Sequence, residues 1–248
     1  MLLNTHITQL YHELMAAHGP QCWWPVENRR GDIHRDVTGV PGDPLHRWEI
    51  MVGAVLTQNT SWKNVEQALQ ALRGAGITRP DLVENTEPSV LAELIRSSGY
   101  YNQKARKLQI LAAACRQRSW LIPAARGGCI PSRKELLSLW GIGPETADCI
   151  LLYAYGVPSF VIDAYTRRIL SRVFSGCSIP ADPLAIPYEQ LQLWFSEVLP
   201  AETLLYNEYH ALLVRHGADF CRAKPLCSEC PLGPSGTRRC AGHSAATG

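Results

Sequence analysis

The sequence predicts an all-α protein of about ten helices joined by short loops. Apolar side chains recur at intervals of three or four residues along most of the 248-residue chain, which is the period of an amphipathic helix. Strand signals are scarce, and a hydrophobic content of 46% is sufficient for a sizeable buried core. A chain of this length forms one large domain or two modest ones.

The helices can be placed in order along the chain. Apolar periodicity predicts a first helix over residues 3–17. The next segment, 21–47, is rich in Gly, Pro, Asp and Arg and predicts a long loop or a short hairpin. The later predicted helices are residues 48–56, the stretch from Trp62 to Leu72, a short helix between Pro88 and Gly99, 102–117, 133–139, 144–155, 164–174, 187–198 and 202–216.

The composition excludes several classes of protein. Charged residues make up 19% of the chain, with 24 basic against 22 acidic side chains, whereas a disordered chain is more polar and more one-sided. No apolar run approaches the roughly 18 residues of a membrane span, and the first ten residues lack the features of a secretory signal. We therefore expect a protein of the cytosol of a bacterium or archaeon, or of a nucleus, without a membrane partner.

The weak net charge conceals a strongly basic block. No Asp or Glu occurs between Leu94 and Lys134, and this stretch contains nine basic residues: Arg96, Lys104, Arg106, Lys107, Arg116, Arg118, Arg126, Arg133 and Lys134. Such a block indicates a surface that faces phosphates. Solvated helix faces, balanced by acids elsewhere in space, would give the same composition, so both interpretations stay open.

Four of the nine cysteines crowd towards the C-terminus. An odd total in a chain of this size argues against a disulfide framework. Cys221, Cys227, Cys230 and Cys240 are separated by five, two and nine residues. Four thiolates at such intervals can bind either zinc or a [4Fe–4S] cluster, and ligand chemistry alone does not distinguish the two.

Residues 139–147, LWGIGPETA, carry the sharpest local signal. Gly141 and Gly143 allow the backbone to turn tightly, and Pro144 suits the first position of the helix that follows. Backbone N–H groups at such a helix start suit an anion such as a DNA phosphate. The pattern resembles the helix-hairpin-helix motif of DNA-repair proteins. A helical corner with no ligand is the alternative.

The segment after this motif delivers one carboxylate, Asp163, to a helix start. Its sequence, GVPSFVIDAYTRR at 156–168, together with the preceding hairpin resembles the helix-hairpin-helix–GPD DNA glycosylases. Taken alone, Asp163 could be an N-cap. The resemblance implies that Asp163 is catalytic and faces the sugar of a flipped nucleotide. It would stabilise the oxocarbenium-like transition state or prepare water to attack it.

The resemblance also implies a domain organisation. It predicts two helical domains with a DNA-binding cleft between them. One is a continuous domain at 48–157 that contains the hairpin. The other is formed by 1–47 together with 158–248 and carries a cluster loop at 221–240. The segment 26–47 lies outside the resemblance.

The cluster loop resembles that of endonuclease III in its residues HG-x3-C and KP-x-C-x2-C. This likeness implies a [4Fe–4S] cluster bound by Cys221, Cys227, Cys230 and Cys240. The interval before Cys240 is longer than in that protein. Arg238, beside it, is a candidate phosphate contact or a solvated charge.

Several further DNA contacts follow from the resemblance. Gln58, in the stretch LTQNT, matches a glutamine that fills the hole left by an extruded base, although a solvent-facing Gln is the alternative. The motif GYYNQKA resembles a family signature in front of a basic helix, and an ordinary Asn-capped helix is the alternative. The residues expected at the DNA backbone are Lys104, Arg106, Gly141, Gly143 and Thr146.

One departure bears on the reaction. Endonuclease III has a lysine at the place of Glu145, and that lysine forms a Schiff base with the sugar, which a carboxylate cannot do. Glu145 is either a favourable acid in a first helical turn or a catalytic group near the flipped base.

Taken together, these features predict a monofunctional base-excision-repair DNA glycosylase. It would act as a monomer on double-stranded DNA containing a damaged base. The stretches WWP at 23–25, LTQNT at 56–60 and GIGPETAD at 141–148 resemble the 3-methyladenine DNA glycosylase III branch, which implies alkylated purines as substrates. The alternatives are an endonuclease III-like enzyme for oxidised pyrimidines or mismatched bases, and a catalytically weak DNA-binding iron–sulfur module.

Overall fold

A computed structural model describes residues 2–27, 33–35, 41–122, 126–174 and 182–233. The predicted all-α class is confirmed, since this part of the chain forms eleven α-helices and one two-stranded antiparallel hairpin. The helices are α1 (Leu2–His18), α2 (Pro44–Leu56), α3 (Trp62–Gly74), α4 (Pro80–Asn85), α5 (Pro88–Leu94), α6 (Tyr101–Gln117), α7 (Arg133–Leu137), α8 (Pro144–Cys149), α9 (Ala164–Val173), α10 (Tyr188–Ser196) and α11 (Thr203–Asp219). The strands are β1 (Pro25–Glu27) and β2 (Ile33–Arg35).

The chain divides into two compact units. The hairpin unit is Trp24–Val157, and the flanking unit combines Met1–Trp23 with Pro158–Gly248. The sequence predicts residue 48 as the start of the continuous domain, and the compact unit in the structure begins at Trp24. The reason is the packing of Trp24, whose ring is 6% exposed and lies edge-on to Trp62 and Tyr153 at centroid distances of 5.2 and 5.4 Å.

The core of the hairpin unit is built around α2. Asp43 caps this helix by accepting a hydrogen bond from the Leu45 amide, and Pro44 occupies its first turn. The second half of α2 is entirely buried. Trp24 lies so close to Gly53 in this half that an added Cβ would be 2.6 Å from a ring carbon. Glycine at this position therefore lets the N-terminal segment pack on α2.

Helix α8 does not end as a regular α-helix. The predicted helix over 144–155 is α-helical only to Cys149 and continues as a π-helix at Ile150–Ala154, all of whose residues are buried. Gly156, with a φ of +67°, then turns the chain out of the helix. A π-helical turn of this kind is rare, and it here closes the hairpin unit next to its last residue, Val157.

The flanking unit packs the first helix of the chain against the last. The hydroxyl of Tyr209 in α11 donates to the carbonyl of Ile7 in α1 at 2.8 Å. Phe160 stacks on Phe195 of α10 with ring centroids 3.8 Å apart. No helix in the part of the chain that the structure describes has the length and apolar character needed to cross a membrane.

Candidate functional site

The predicted helix-hairpin-helix motif, called the hairpin from here on, is formed by α7, a tight turn and α8. Ser132 and Glu135 form a capping box at the start of α7, in which each side chain bonds the backbone of the other residue. The turn requires Gly141, whose φ of +85° is strained for residues with a Cβ. Gly143 then serves as the N-cap of α8 and contributes no side-chain cap. The first amide groups of α8 therefore have no side-chain acceptor from their own N-cap.

An ion pair ties the two helices of the hairpin together. The guanidinium of Arg133 in α7 donates to both carboxylate oxygens of Asp148 in α8, at 2.8 and 3.1 Å. Asp148 is completely buried, whereas the Arg133 side chain retains 30% exposure. Removing one partner of such a pair would leave an uncompensated buried charge. The bidentate geometry also fixes how the two helices lie against each other.

Gln58 follows the end of α2 and contacts the hairpin directly. Its amide nitrogen donates to the Gly141 carbonyl at 3.1 Å and to the Thr146 hydroxyl oxygen at 2.9 Å. Its amide oxygen accepts a hydrogen bond from the Lys107 ammonium at 2.6 Å. The structure thus brings together Gln58, Gly141 and Thr146, three residues predicted to contact DNA, and adds Lys107, which was not predicted as a site residue. The base-filling role of Gln58 stays a prediction.

The structure corrects the interpretation of Lys104 as a phosphate contact. Lys104 is 1% exposed, and its ammonium donates to the backbone carbonyls of Leu56 and Ser98 at 2.8 and 2.6 Å. Burial, aided by the nearby charge of Lys107, lowers the pKa of Lys104 to about 8. Lys104 therefore links α2 to the start of α6 inside the hairpin unit and is not available to DNA.

Much of the basic block is balanced by acids, as the second interpretation proposed. Four of its nine residues form ion pairs, which are Arg96–Glu93, Arg116–Glu84, Arg118–Glu135 and Arg133–Asp148. Arg106 is different, since its side chain is exposed and its guanidinium lies 4.5 Å from the ring centroid of Trp140 in the hairpin turn. The helical period of α6 explains the division, because Lys104 shares the buried face with Leu108 and Leu111.

Glu145 lies in the first turn of α8 and is exposed. An acid at this place interacts favourably with the positive end of the helix dipole. This observation fits the simpler of its two interpretations, and the catalytic role of Glu145 stays a prediction.

Asp163, in the flanking unit, is a buried carboxylate at the start of α9. One oxygen accepts a hydrogen bond from the Thr166 amide at 2.7 Å, and the other lies 3.7 Å from Nε2 of His210 in α11. Asp163 is therefore an N-cap, and it is 8% exposed. The N-cap geometry and a catalytic role are compatible, because the cap uses only one of the two oxygens.

The electrostatics of Asp163 favour the ionised form. Burial raises the pKa of this carboxyl, but interaction with His210 and the hydrogen bond from Thr166 outweigh it, so the pKa lies below its ordinary value. The distance of 3.7 Å to His210 exceeds a direct hydrogen bond. His210 was not predicted, because it lies 47 positions along the chain from Asp163 and no local pattern links the two residues.

The cysteine loop is held by two arginines of α9. Arg168 donates to the carbonyl of Cys221 at 2.7 Å, and Arg172 donates to the Sγ of Cys221 at 3.3 Å. Cys221 and Cys227 are buried, and Cys230 is half-buried. Neither arginine was predicted to contact the cysteines.

Four cysteines suit an iron–sulfur cluster chemically, and an arginine N–H directed at a sulfur suits a thiolate that carries charge. Cys240 and Arg238 lie outside the described residues. Among the described residues, no three His, Cys, Asp or Glu side chains are grouped as a metal site. The predicted cluster and its fourth ligand therefore stay predictions.

Comparison with protein families decides the assignment. The family model described as "HhH-GPD superfamily base excision DNA repair protein" matches residues 52–185, which is more than half of the chain. The chain belongs to the HhH-GPD superfamily. Its relatives include a Methanocaldococcus jannaschii protein provisionally named a DNA repair glycosylase, which is 37% identical over 91% of this chain and 93% of its own length. A thymine-DNA glycosylase of Aeropyrum pernix is 31% identical over 75% of this chain and 79% of its own length.

Solved structures agree with this placement in the HhH-GPD superfamily. The H. pylori 3-methyladenine DNA glycosylase bound to 1,N6-ethenoadenine has a TM-score of 0.61 and 26% identity, and the alignment covers 85% of this chain and 93% of that one. A non-covalent endonuclease III–DNA complex has a TM-score of 0.74 and 21% identity over the whole of both chains. The protein therefore has the endonuclease III-type fold and belongs to a superfamily of base-excision DNA repair proteins.

Proposed function

We propose that this HhH-GPD protein hydrolyses the N-glycosidic bond of alkylated purines in double-stranded DNA and leaves the strand intact. The observation that carries the proposal is the buried, ionised Asp163, which has one carboxylate oxygen outside its capping hydrogen bond. A fixed anion in a site of low dielectric stabilises the positive charge that develops on the sugar as the base departs. The carboxylate needs no reorganisation at that moment, because Thr166 already holds it.

Base removal without strand cleavage follows from Glu145. Strand cleavage requires an amine that forms an imine with the opened sugar, and Glu145 has none. It occupies the place at which endonuclease III carries its lysine. The product of this protein would then be an intact abasic site.

An alkylated purine is the substrate that requires the fewest catalytic groups from this site. A purine alkylated on N3 or N7 is already cationic, so it leaves without a strong general acid. The likeness to a 3-methyladenine DNA glycosylase supports this substrate class. Likeness to a thymine-DNA glycosylase supports a second candidate, a glycosylase for mismatched or oxidised bases.

The hairpin is proposed to hold the DNA backbone. Gly143 leaves open space at the start of α8, since an added Cβ would meet no atom within 4 Å. A phosphate can approach the amide groups there. Gly141 and Thr146 support the turn through Gln58, and Arg106 is the exposed cation of α6 beside it.

Cys221, Cys227, Cys230 and Cys240 are proposed to bind a [4Fe–4S] cluster. When bound, such a cluster would contribute folding free energy to the C-terminal loop. We expect purified protein to be brown with close to four irons per chain, and Cys227→Ser to lose the iron and the visible absorption. Cys22→Ser is the matched control. Stoichiometric zinc and no iron in protein purified without oxygen would exclude the cluster.

A panel of duplexes, each with a single lesion, tests the proposed reaction. Each product is analysed with and without alkali, which breaks the strand at abasic sites. We expect alkali-dependent breaks on alkylated-purine duplexes and no covalent trapping of protein by borohydride. Glu145→Lys is expected to gain trapping if position 145 faces the sugar. Alkali-independent breaks and a strong trap with the wild type would show a bifunctional enzyme instead. Absence of breaks on every duplex would favour the non-catalytic DNA-binding alternative.

A further inference from the structure

Lys107 and Gln58 bridge α6 to the hairpin turn. The Lys107 ammonium donates to the Gln58 amide oxygen at 2.6 Å, and the Gln58 amide nitrogen reaches Gly141 and Thr146. The methylene groups of Lys107 lie against Gly141, where an added Cβ would be 2.5–2.8 Å from three of their carbons. One lysine therefore contacts the turn twice, through its hydrocarbon stem and, by way of Gln58, through its charge.

The charge of Lys107 is held in an unusual place. Its partner is a neutral amide oxygen, and the side chain is half-buried between α6 and the turn. A lysine that served as a phosphate contact would extend its ammonium into solvent, as a hydrated point charge on a flexible stem. Polarisation of the Gln58 amide by the cation instead strengthens the two hydrogen bonds that Gln58 donates.

We infer that Lys107 is a positioning residue that fixes the Gly141 peptide through Gln58, and thereby orients the hairpin turn for DNA. The inference rests on the proposed DNA-binding role of the hairpin. It gives Gln58 a structural task in every complex with DNA, damaged or not. A Gln58 that acted only by filling the hole left by an extruded base would matter for damaged duplexes alone.

Variants of the adjacent residues Lys107 and Arg106 distinguish a positioning role from a phosphate contact. Lys107→Met keeps the stem and removes the ammonium, and Arg106→Gln removes an exposed cation. We expect Lys107→Met to lower affinity roughly 10-fold for plain and damaged duplexes alike, without changing the slope of log affinity against log salt. Arg106→Gln should instead reduce the magnitude of that slope by about 0.9, the contribution of one phosphate contact.

Hydrogen exchange of the free protein gives a readout that does not involve DNA. Lys107→Met and Gln58→Ala should each accelerate amide exchange in the peptide covering Gly141–Gly143, and the double variant should add little to either. Arg106→Gln should leave exchange there unchanged. Lys107→Arg, which keeps a cation, should restore part of the protection.

Three results would overturn the inference. They are unchanged exchange in Lys107→Met, a salt slope that flattens in Lys107→Met as in Arg106→Gln, and a loss of affinity in Gln58→Ala confined to damaged duplexes. The hydrogen-exchange measurement on the free protein tests this inference independently of the proposed function. If the wild type failed to bind DNA, the DNA-binding proposal would fail, while altered exchange would still report the bridge.

A separate observation concerns Trp140, which lies in the hairpin turn with 47% of its surface exposed. All seven tryptophans fall in the described residues, and Trp140 is the one that is largely exposed. The guanidinium of Arg106 stands over its ring at 4.5 Å. The exposed indole offers an apolar face to the sugar or base of a nucleotide, and the cation beside it offers a positive charge to the phosphate.

We propose that Trp140 and Arg106 together bind one nucleotide of the DNA strand that the hairpin contacts. Arg106 would bind the phosphate, and the indole would pack on the adjoining deoxyribose or base. This second proposal also rests on the DNA-binding role of the hairpin, but on residues outside the Lys107–Gln58 bridge.

Tryptophan fluorescence tests the second proposal directly. Acrylamide should quench Trp140 in the free protein, and a plain duplex should protect it. The protectable signal should vanish in Trp140→Phe, which keeps an aromatic ring and most of the affinity. Trp140→Ala should lower affinity for all duplexes several-fold, with an unchanged thermal midpoint because the side chain is exposed. Undiminished quenching in the saturated complex, or full affinity in Trp140→Ala, would overturn it.

Discussion

The helices α8 and α9 begin in opposite ways, and both beginnings belong to the predicted site. At α9 the cap is Asp163, a buried side chain whose oxygen is bonded to the Thr166 amide of its own helix. At α8 the cap is Gly143, which carries no side chain and opens onto empty space. One helix start has a side-chain cap, whereas the other has none and is the predicted contact with a DNA phosphate.

The difference indicates how a single carboxylate can have two tasks. Asp163 is fixed in position by its capping hydrogen bond, and the proposed reaction would use its second oxygen. No side chain of the N-cap residue bonds the α8 start, and contact with a DNA phosphate is the prediction for this place. We therefore expect changes at α9 to affect chemistry and stability, and changes at α8 to affect binding.

The largest effect should come from Asp163→Asn, which tests whether the α9 start acts by charge or by shape. Asparagine is as good an N-cap as aspartate, so the fold should be retained. Loss of the charge should slow base release by ~10²-fold or more. Lesion affinity should change little, because the carboxylate acts on a cation that forms only in the transition state. Single-turnover base release and fluorescence anisotropy measure the two quantities.

Glu145→Gln is the matched carboxylate control at the α8 start. Its rate of base release should stay within about threefold of the wild type if electrostatic catalysis resides in Asp163. A loss comparable to that of Asp163→Asn would place catalytic charge at both helix starts and would remove the contrast between them.

A second test asks how much the buried cation of the hairpin unit contributes to stability. Lys104→Met removes the buried cation of the hairpin unit and leaves the carbonyls of Leu56 and Ser98 without their donor. The free energy of unfolding should fall by about 1–3 kcal/mol, as measured by urea denaturation. Lys63→Met, at an exposed position in α3, is the control and should be nearly neutral.

The difference in the free energy of unfolding between the wild type and Lys104→Met should also depend on pH. The folded-state pKa of Lys104, about 8, lies below the roughly 10.4 of a lysine in an unfolded chain. Between these values the unfolded chain holds a proton that the folded protein has released. The free energy of unfolding, measured relative to Lys104→Met, should therefore rise with pH from about 8 to about 10. A flat difference across this range would mean that Lys104 stays charged in the folded protein.

The smallest expected change separates the two caps by stability alone. Asp163→Ala removes a side-chain cap and should cost about 1–2 kcal/mol, whereas Gly143→Ala should cost about 0.5 kcal/mol or less. Gly143→Ala should nevertheless weaken binding to every duplex, because the new methyl group occupies space that a phosphate needs. Equal stability losses for the two variants would show that the open start of α8 is also satisfied from within.

The sequence specified some of these features because their signals are local. The glycine spacing and the carboxylate before α9 belong to short motifs, so Gly141, Gly143 and Asp163 could be placed without a structure. Lys104, Lys107 and Arg106 share one basic helix, and composition cannot tell which side of that helix is buried. His210 and Trp24 depend on packing between segments that are remote in the chain, which no local pattern records.

The pairing of the first helix with the last has a consequence during synthesis. The contact between Tyr209 and Ile7 joins residues 202 positions apart, whereas the hairpin unit is one continuous stretch, Trp24–Val157. The hairpin unit can therefore fold on the ribosome as soon as it has emerged. Helix α1 is made first and must wait, with its apolar face uncovered, until α11 has been translated. A chain that terminates before α11 leaves the α1 face exposed, which makes truncated products targets for chaperones and proteases.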